Sequence, residues 1–418
     1  MIHVDGRGRA ADGTVGHFPV RQWGTTALAL LAIACDGQGF SEEPTTLMWD
    51  TAAVPHRIAS ARAAAEAPRW RLAPRPLLEI GAAVGDTTVT FGRVHDALRL
   101  RNGRIVVADR QASQLRIFDH GGELLAAAGR AGDGPGEFRD PRRVLECARD
   151  SVFVYDPAHD RVSVFSAAGT FSRSFHVELP RPPPLYRLGC SRERLLVAEA
   201  WPPLTHEPEG PFETEAPISL ADASGNMISV LGDFPGQERV GNPRGSNPRV
   251  FGQETFVGAS AAGVYVGVSS RYEIGVFSTE GEIEAVFGID LPARPVTDAD
   301  VEQYAEQETA REGLSADRAR EIAGDLREQV PEHFPFFDRL LVASTGDVWV
   351  RRYAKPTDES HRWDVFSGTG AYRGSLEVPG AFEPLDVDDD RVTGRWRGRL
   401  DEAYVRVYRL ISPEHPRR

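Results

Sequence analysis

Residues 103–122 read GRIVVADRQASQLRIFDHGG, and the spacing inside that stretch recurs along the chain. Ile105-Val-Val107 is followed by Phe118, thirteen residues after Ile105, and then by Gly122 four residues later. Val152-Phe-Val154 leads in the same way to Phe165 and Gly169, and Val264-Tyr-Val266 to Phe277 and Gly281. Three further copies are looser. Leu195-Leu-Val197 reaches Ala221 and Gly225 across a Pro-rich excursion at 201–217, Val348-Trp-Val350 reaches Phe366 and Gly370 with five extra residues, and Val392 leads to Tyr408. Within each unit apolar residues alternate with period two, which buries one side of a strand. The glycine falls where a tight hairpin needs positive φ. Four strands in roughly forty to fifty residues is the period of a propeller blade. A single blade cannot bury both of its faces, so the units must stack around an axis. The expected fold is all-β, a six-bladed β-propeller, with seven blades as the alternative count.

The ends of the chain supply a closure. The sixth unit runs out at Tyr408-Arg-Leu-Ile411 without a fourth strand, and Leu77-Leu-Glu-Ile-Gly81, ahead of the first unit, has the character of one. An N-terminal strand therefore completes the last blade. Between units four and five the period changes. Thr297-Asp-Ala-Asp300 is a helix start of capping-box type, Gly313 is a stop, and Ser315 caps a second helix. In that helix Ala319, Ile322, Ala323, Leu326 and Val330 fall on one apolar stripe. The domain reading is a signal peptide at 1–34, an N-terminal segment at 35–67 packing on the propeller, the propeller at 68–411 with a helical hairpin inserted at 297–331, and a tail at 412–418.

Gly103-Arg-Ile-Val-Val-Ala-Asp109, Leu115-Arg-Ile-Phe-Asp119 and the loop Gly129-Arg-Ala-Gly-Asp-Gly-Pro-Gly-Glu-Phe138 resemble bacterial six-bladed β-propellers related to NHL repeats. The loop is followed by Val154-Tyr-Asp156, and the end, Glu402-Ala-Tyr-Val-Arg-Val-Tyr-Arg-Leu410, is similar to that family's close. The resemblance runs from about residue 45 to 411. It implies the fold and, through the many secreted and lipid-anchored members without an assigned activity, an envelope location; it implies no reaction.

Composition agrees with a strand-rich globule. The chain has 418 residues, 41% hydrophobic, with 41 Gly, 30 Pro and 20 Phe. A net charge of −13 excludes a nucleic-acid groove or an anionic membrane surface as the main partner, since both need a positive field. Of 48 basic residues only Lys355 is lysine, which reflects codon usage more than function. Thr25–Ala34 (TTALALLAIA) has the length of a secretory apolar core and is too short to span a bilayer. Ala34 before Cys35 resembles the cleavage box of bacterial lipoproteins, so Cys35 is the expected lipidation site, and a start at Val20 would give the compact leader VRQWGTTALALLAIAC. The expected location is the cell envelope, periplasmic or outer surface, with membrane contact only through the anchor, and a monomeric chain.

Cys147 and Cys190 share a register in units two and three. Export would permit a disulfide, while two buried thiols or a metal pair remain open. The candidate ligand site comes from the same alignment. Just before each inner strand lie His95, Asp96, Arg142, Arg143, Tyr186, Glu254, Thr255, Asp338, Arg339 and Glu383, in two adjacent registers of which one should face the axis. Acids, arginines and a tyrosine at a funnel mouth suit a small polar or zwitterionic ligand held by charge-assisted bonds, or simply one another. The Gly-rich run at 129–136 precedes a strand and not a helix, so it reads as an inter-blade turn and not a phosphate loop. Asp109 and Asp156 close equivalent strands and read as turn-capping residues. No Gly-x-Ser-x-Gly or HExxH run occurs. The reading is a ligand- or protein-binding module without a cofactor, using the funnel mouth, the hairpin and the excursion at 201–217. The alternative is a metal-dependent, lactonase-like hydrolase with axial Ca²⁺ on Asp96, Glu254, Asp338 and Glu383.

Overall fold

The computed structural model describes residues 54–81, 89–179, 185–191, 195–200, 208–243, 245–355, 357–399 and 401–413, with backbone only at 186, 195, 196 and 200. The leader, Cys35 and the tail beyond 413 lie outside the described residues. The first blade shows how sequence becomes strand. Val94–Arg99, Ile105–Asp109, Gln114–Phe118 and Leu124–Ala128 pair in order, each antiparallel to the next. Val106, Ile117 and Phe118 are fully buried, and Gly122 turns the last hairpin at φ +88°. The recurring glycines 169, 225, 281 and 370 do the same at φ +87° to +91°, a region that costs a side chain but not glycine.

Five more blades follow. Their innermost strands are Arg143–Ala148, Leu185–Cys190, Thr255–Ser260, Phe337–Val342 and Phe382–Asp388. Each innermost strand packs against the next, and Phe382–Asp388 returns to Val94–Arg99, so the ring closes at six. The hydrophobic core has the same count. Six apolar clusters each draw residues from two neighbouring blades: Val106 and Phe118's blade meets Val154 and Phe165 on one side and Val405 and Val407 on the other. The remaining four join blades two to three, three to four, four to five and five to six. A blade thus buries both faces only through its neighbours, which is why the count must close.

The N-terminal segment is a thread around half of the rim. β1 (His56–Ser60) adds parallel to Ile283–Asp290, the outer strand of blade four. After α1 (Ala61–Glu66), β2 (Arg69–Leu72) joins the outer strand of blade five to Ala403–Ile411 of blade six. β3 (Leu78–Ile80) then pairs antiparallel with Ala403–Ile411 as the fourth strand of blade six, with Ile80 opposite Val405. Residues 54–66, which the sequence reading leaves outside the propeller, thus include a strand of blade four.

Two insertions rise at the end where the inner strands begin. α2 (Asp298–Arg311) starts with Thr297 and Asp300 capping reciprocally, and α3 (Ala316–Arg327) starts with the Ser315 hydroxyl accepting from the Arg318 amide at 3.3 Å. Their apolar stripe is covered by the propeller's own Phe251, Phe334 and Tyr353. Lys355 donates to Asp300 at 2.9 Å and pins the start of α2. The second insertion corrects the sequence reading. Residues 210–217 are not a Pro-rich loop but the first part of a long strand, Gly210–Asp222, paired with Met227–Asn242 as far as Gly241. Arg249 joins this ribbon to the hairpin, donating to Glu238 at 3.0 Å and to the Gln329 carbonyl at 2.5 Å.

Candidate ligand site in the axial channel

The inner strands surround a channel that widens at both ends. The cavity at the strand starts holds about 740 Å³ and the one at the strand ends about 590 Å³. Asp96, Arg143, Val257, Leu340, Leu341 and Leu385 line both, so the two cavities meet at a mostly apolar waist.

Eight of the ten candidate residues line the first cavity: His95, Asp96, Arg142, Arg143, Glu254, Asp338, Arg339 and Glu383. The sequence offered two registers as alternatives, and the structure uses both. The pairing slips between Val94 and Asp96 and again between Phe337 and Arg339, and such bulges let consecutive side chains reach one side. Thr255 is the exception. It is fully buried and its hydroxyl bonds the Pro235 carbonyl, so it belongs to the wall behind the cavity, and Glu254 faces the cavity in its place. The Tyr186 side chain lies outside the described residues.

Four polar residues of the cavity escaped the sequence reading: Arg187, Gln237, Arg395 and Tyr155. Register would have found two of them. Arg187 stands opposite Glu199 and Arg395 opposite Glu383 on paired strands, where opposite charges meet.

Every lining carboxylate is held by a guanidinium. Asp96 is almost fully buried; it accepts from Arg143 at 3.2 Å and from the Val144 and Ala97 amides at 3.0 Å each. Asp338 accepts from Arg351 at 2.5 Å. Glu383 bridges Arg339 and Arg395. Glu254 accepts from Arg187 and from Gln237, the latter at 3.0 Å. Arg187 also meets Glu199 at 3.2 Å and lies over the Phe256 ring at 4.7 Å. Such a set does not present the several convergent oxygens that calcium needs. Among the described residues no group of three or more His, Cys, Asp or Glu could hold a metal ion.

The ionisation pattern follows from burial. Desolvation would raise the Glu383 carboxyl, but Arg339, Arg395 and Arg351 outweigh it and hold the group below its ordinary range. Burial pulls the Arg339 guanidinium down, against the pull of Glu383, and Arg143 of blade two adds its repulsion from across the channel. His95 is lowered mainly by burial and is therefore neutral at neutral pH. Its Nδ1 lies 2.8 Å from the Arg142 carbonyl, which can only accept, so Nδ1 carries the proton and Nε2 is an acceptor. Glu199, wholly buried behind Arg187, is pushed up to about 7 by desolvation, with Arg187 opposing and Glu254 adding to the rise.

Cys147 and Cys190 form a disulfide, with Cα atoms 5.5 Å apart, that joins the inner strands of blades two and three. Asp109 and Asp156 are fully buried. Asp109 accepts from the Gly92 and Arg93 amides at 3.2 Å each, and Asp156 from Arg139 and Asp140 at 2.8 and 3.1 Å.

Residues 89–171, the first two blades, match the model of the DUF5128 family, described as a 6-bladed beta-propeller. The chain is a six-bladed β-propeller. No curated protein matches its sequence. Among solved structures this propeller is similar to a member of the duf4221 family from Bacteroides vulgatus, at 8% identity and TM-score 0.49, over 82% of this chain and 99% of that one. It is also similar to virginiamycin B lyase from Staphylococcus aureus (10%, 0.40, 81% and 99%) and to the Pan2 WD40 domain of Neurospora crassa (10%, 0.41, 82% and 95%). All three scores lie below 0.5, and these likenesses carry no argument about what the propeller binds.

Proposed function

We propose that this propeller is an exported, lipid-anchored binding module whose site is the arginine-rich mouth of its axial channel, and that its ligand is small and carries an anionic group. The supporting observation is the approach of Arg143 and Arg339 from opposite blades. The two repel each other across the channel while each keeps about a third of its side chain exposed, in a chain whose net charge is −13. An anion between them relieves that repulsion and gains two charge-assisted contacts. The cavity volume falls within the range of small-molecule sites. Gln237 of the ribbon lines the cavity, and Arg249 ties that ribbon to the helical hairpin.

Export is supported by two separate features. Thr25–Ala34 with Cys35 has the form of a lipoprotein leader, and the Cys147–Cys190 disulfide suits an oxidising compartment. Palmitate labelling of the full chain in a bacterial host, lost in Cys35→Ser, tests the anchor; equal labelling of the variant overturns it. Calorimetric titration of the propeller with inorganic phosphate and short carboxylic acids tests the site. Saturable binding that Arg339→Gln weakens about tenfold or more is expected. Binding that the substitution leaves unchanged would place the ligand elsewhere, and no binding by any anion would end the proposal.

A further inference from the structure

His95 is held at the mouth in a different way from the carboxylates. Its ring is fixed to the wall, with Nδ1 donating to the Arg142 carbonyl of blade two at 2.8 Å. The imidazole is neutral, so Nε2, on the other edge of the ring, is an acceptor. Among the described residues no partner meets Nε2, and His95 lines the same cavity as Arg143 and Arg339. The carboxylates there already face guanidiniums: Asp96 meets Arg143, Glu383 meets Arg339 and Arg395, and Glu254 meets Arg187. Two guanidiniums act on the imidazole itself, Arg142 from blade two and Arg395 from blade six. Both are tied down: Arg142 donates to Asp140 at 2.8 Å, and Arg395 to the Val94 carbonyl, next to His95, at 2.7 Å. The mouth thus sets an uncharged, unengaged acceptor among arginines.

An anionic oxygen has no proton to give Nε2, and the nitrogen lone pair repels it. An ammonium group has the proton but is repelled by Arg142 and Arg395. A hydroxyl donates without either cost. Resting on the reading of the mouth as an anion site, we infer that the ligand is a hydroxylated anion: its carboxylate lies between Arg143 and Arg339, and a hydroxyl of the same molecule donates to Nε2 of His95. The class is a hydroxycarboxylic acid, and His95 is the residue that selects it over the plain acid. A site with a fixed acceptor for a ligand hydroxyl disfavours the analogue that lacks it, because the acceptor then loses its partner.

The test is calorimetric titration of the full propeller at neutral pH with matched acids: lactate against propionate, and 3-hydroxybutyrate and 4-hydroxybutyrate against butyrate. Alanine supplies the ammonium analogue of lactate, and inorganic phosphate is the reference anion. For one hydroxyl position the hydroxy acid is expected to bind about fivefold or more tighter than its plain acid, the margin of one neutral hydrogen bond. Alanine should bind no tighter than propionate. His95→Phe, which keeps a ring and removes the acceptor, should bind hydroxy acid and plain acid alike, and His95→Gln, whose amide oxygen restores an acceptor, should recover part of the margin. Scanning calorimetry reports whether each variant is folded, and the comparison of acids in the parent stands whether or not a variant folds. If hydroxy and plain acids bind the parent alike at every position, or a folded His95→Phe keeps the margin, the assignment to His95 fails while the anion site stands. If phosphate and every acid fail to bind, the anion site itself is wrong.

Discussion

Glu383→Gln is the perturbation that most directly tests whether the mouth of the channel is a built electrostatic site. The carboxylate holds Arg339 and Arg395 at once, with about a fifth of its own side chain exposed and 30% and 26% of theirs. At an effective dielectric near 20, one contact pair is worth about 4 kcal/mol before desolvation. Breaking a buried pair from one side costs about 3–5 kcal/mol, because the guanidiniums stay where they are. Their partial exposure puts the expected loss at the lower end, about 3 kcal/mol. The compact unit has about 370 residues, and at about 2.1 cal/mol/K per residue its unfolding entropy is about 0.8 kcal/mol/K, so Tm should drop by about 4 °C. Scanning calorimetry of both proteins at neutral pH measures this. Two accompaniments are required. Phosphate should stabilise the variant more than the parent, because the lost negative charge is restored by a bound one. The gap should also close at low pH: Glu383 titrates below the ordinary glutamate value, so its contribution is full above that value and disappears as pH falls through the lower folded one. A Tm change under about 1 °C with no response to phosphate would mean that water already screens these charges, and the reasoning about the mouth would fail.

Three other outcomes are expected. Ile80→Ala removes the buried contact through which β3 completes blade six, and should cost about 3 kcal/mol, or about 4 °C in Tm; an unchanged Tm would mean that the closure does not bear on stability. Replacing Cys147 and Cys190 together by Ala opens a loop of 43 residues, which the chain-entropy relation values at about 4 kcal/mol; equal denaturation midpoints under oxidising conditions would contradict the cross-link. Glu199 ionises near 7 when folded, above its unfolded value, so between about pH 4.5 and 7 the folded chain keeps a proton that the unfolded chain releases. Parent stability should therefore fall across that window relative to Glu199→Gln by up to about 3 kcal/mol, read as a difference in the pH slope of Tm, and parallel slopes would show the carboxylate to be hydrated.

The blade count was legible in the sequence because it rests on local spacing. A strand pair, an aromatic and a hairpin glycine lie within about twenty residues of each other, and period-two burial writes the same signal in each copy. Leu78–Ile80 could be read as the missing strand because the sixth unit ran out of chain. The helical hairpin was legible from Thr297, Ser315 and one apolar stripe. Other features depended on register, which spacing does not carry. A one-residue bulge at Val94/Asp96 turns both His95 and Asp96 into the channel, and without it one would face the wall. Thr255 was misplaced for the complementary reason: in blade four the residue before the strand takes the cavity position. Arg187 and Arg395 enter the site only through their cross-strand partners. The run at 201–217 looked like a loop because its prolines argue against a strand, yet the part from Gly210 onward pairs along the ribbon.

The sequence by itself therefore determined that this chain is a propeller of repeated four-stranded units, six by the better count, sealed by its own N-terminal strand and carrying a helical insertion. Repeats and caps are short-range, and short-range physics reads them directly. Tertiary structure alone decided that each carboxylate of the channel mouth meets a guanidinium, that Arg143 and Arg339 line one cavity from opposite blades, and that Cys147 meets Cys190. Those facts depend on which residues the closing of the ring brings across the axis, and residues far apart in the chain acquire a common electrostatic environment only when the ring closes.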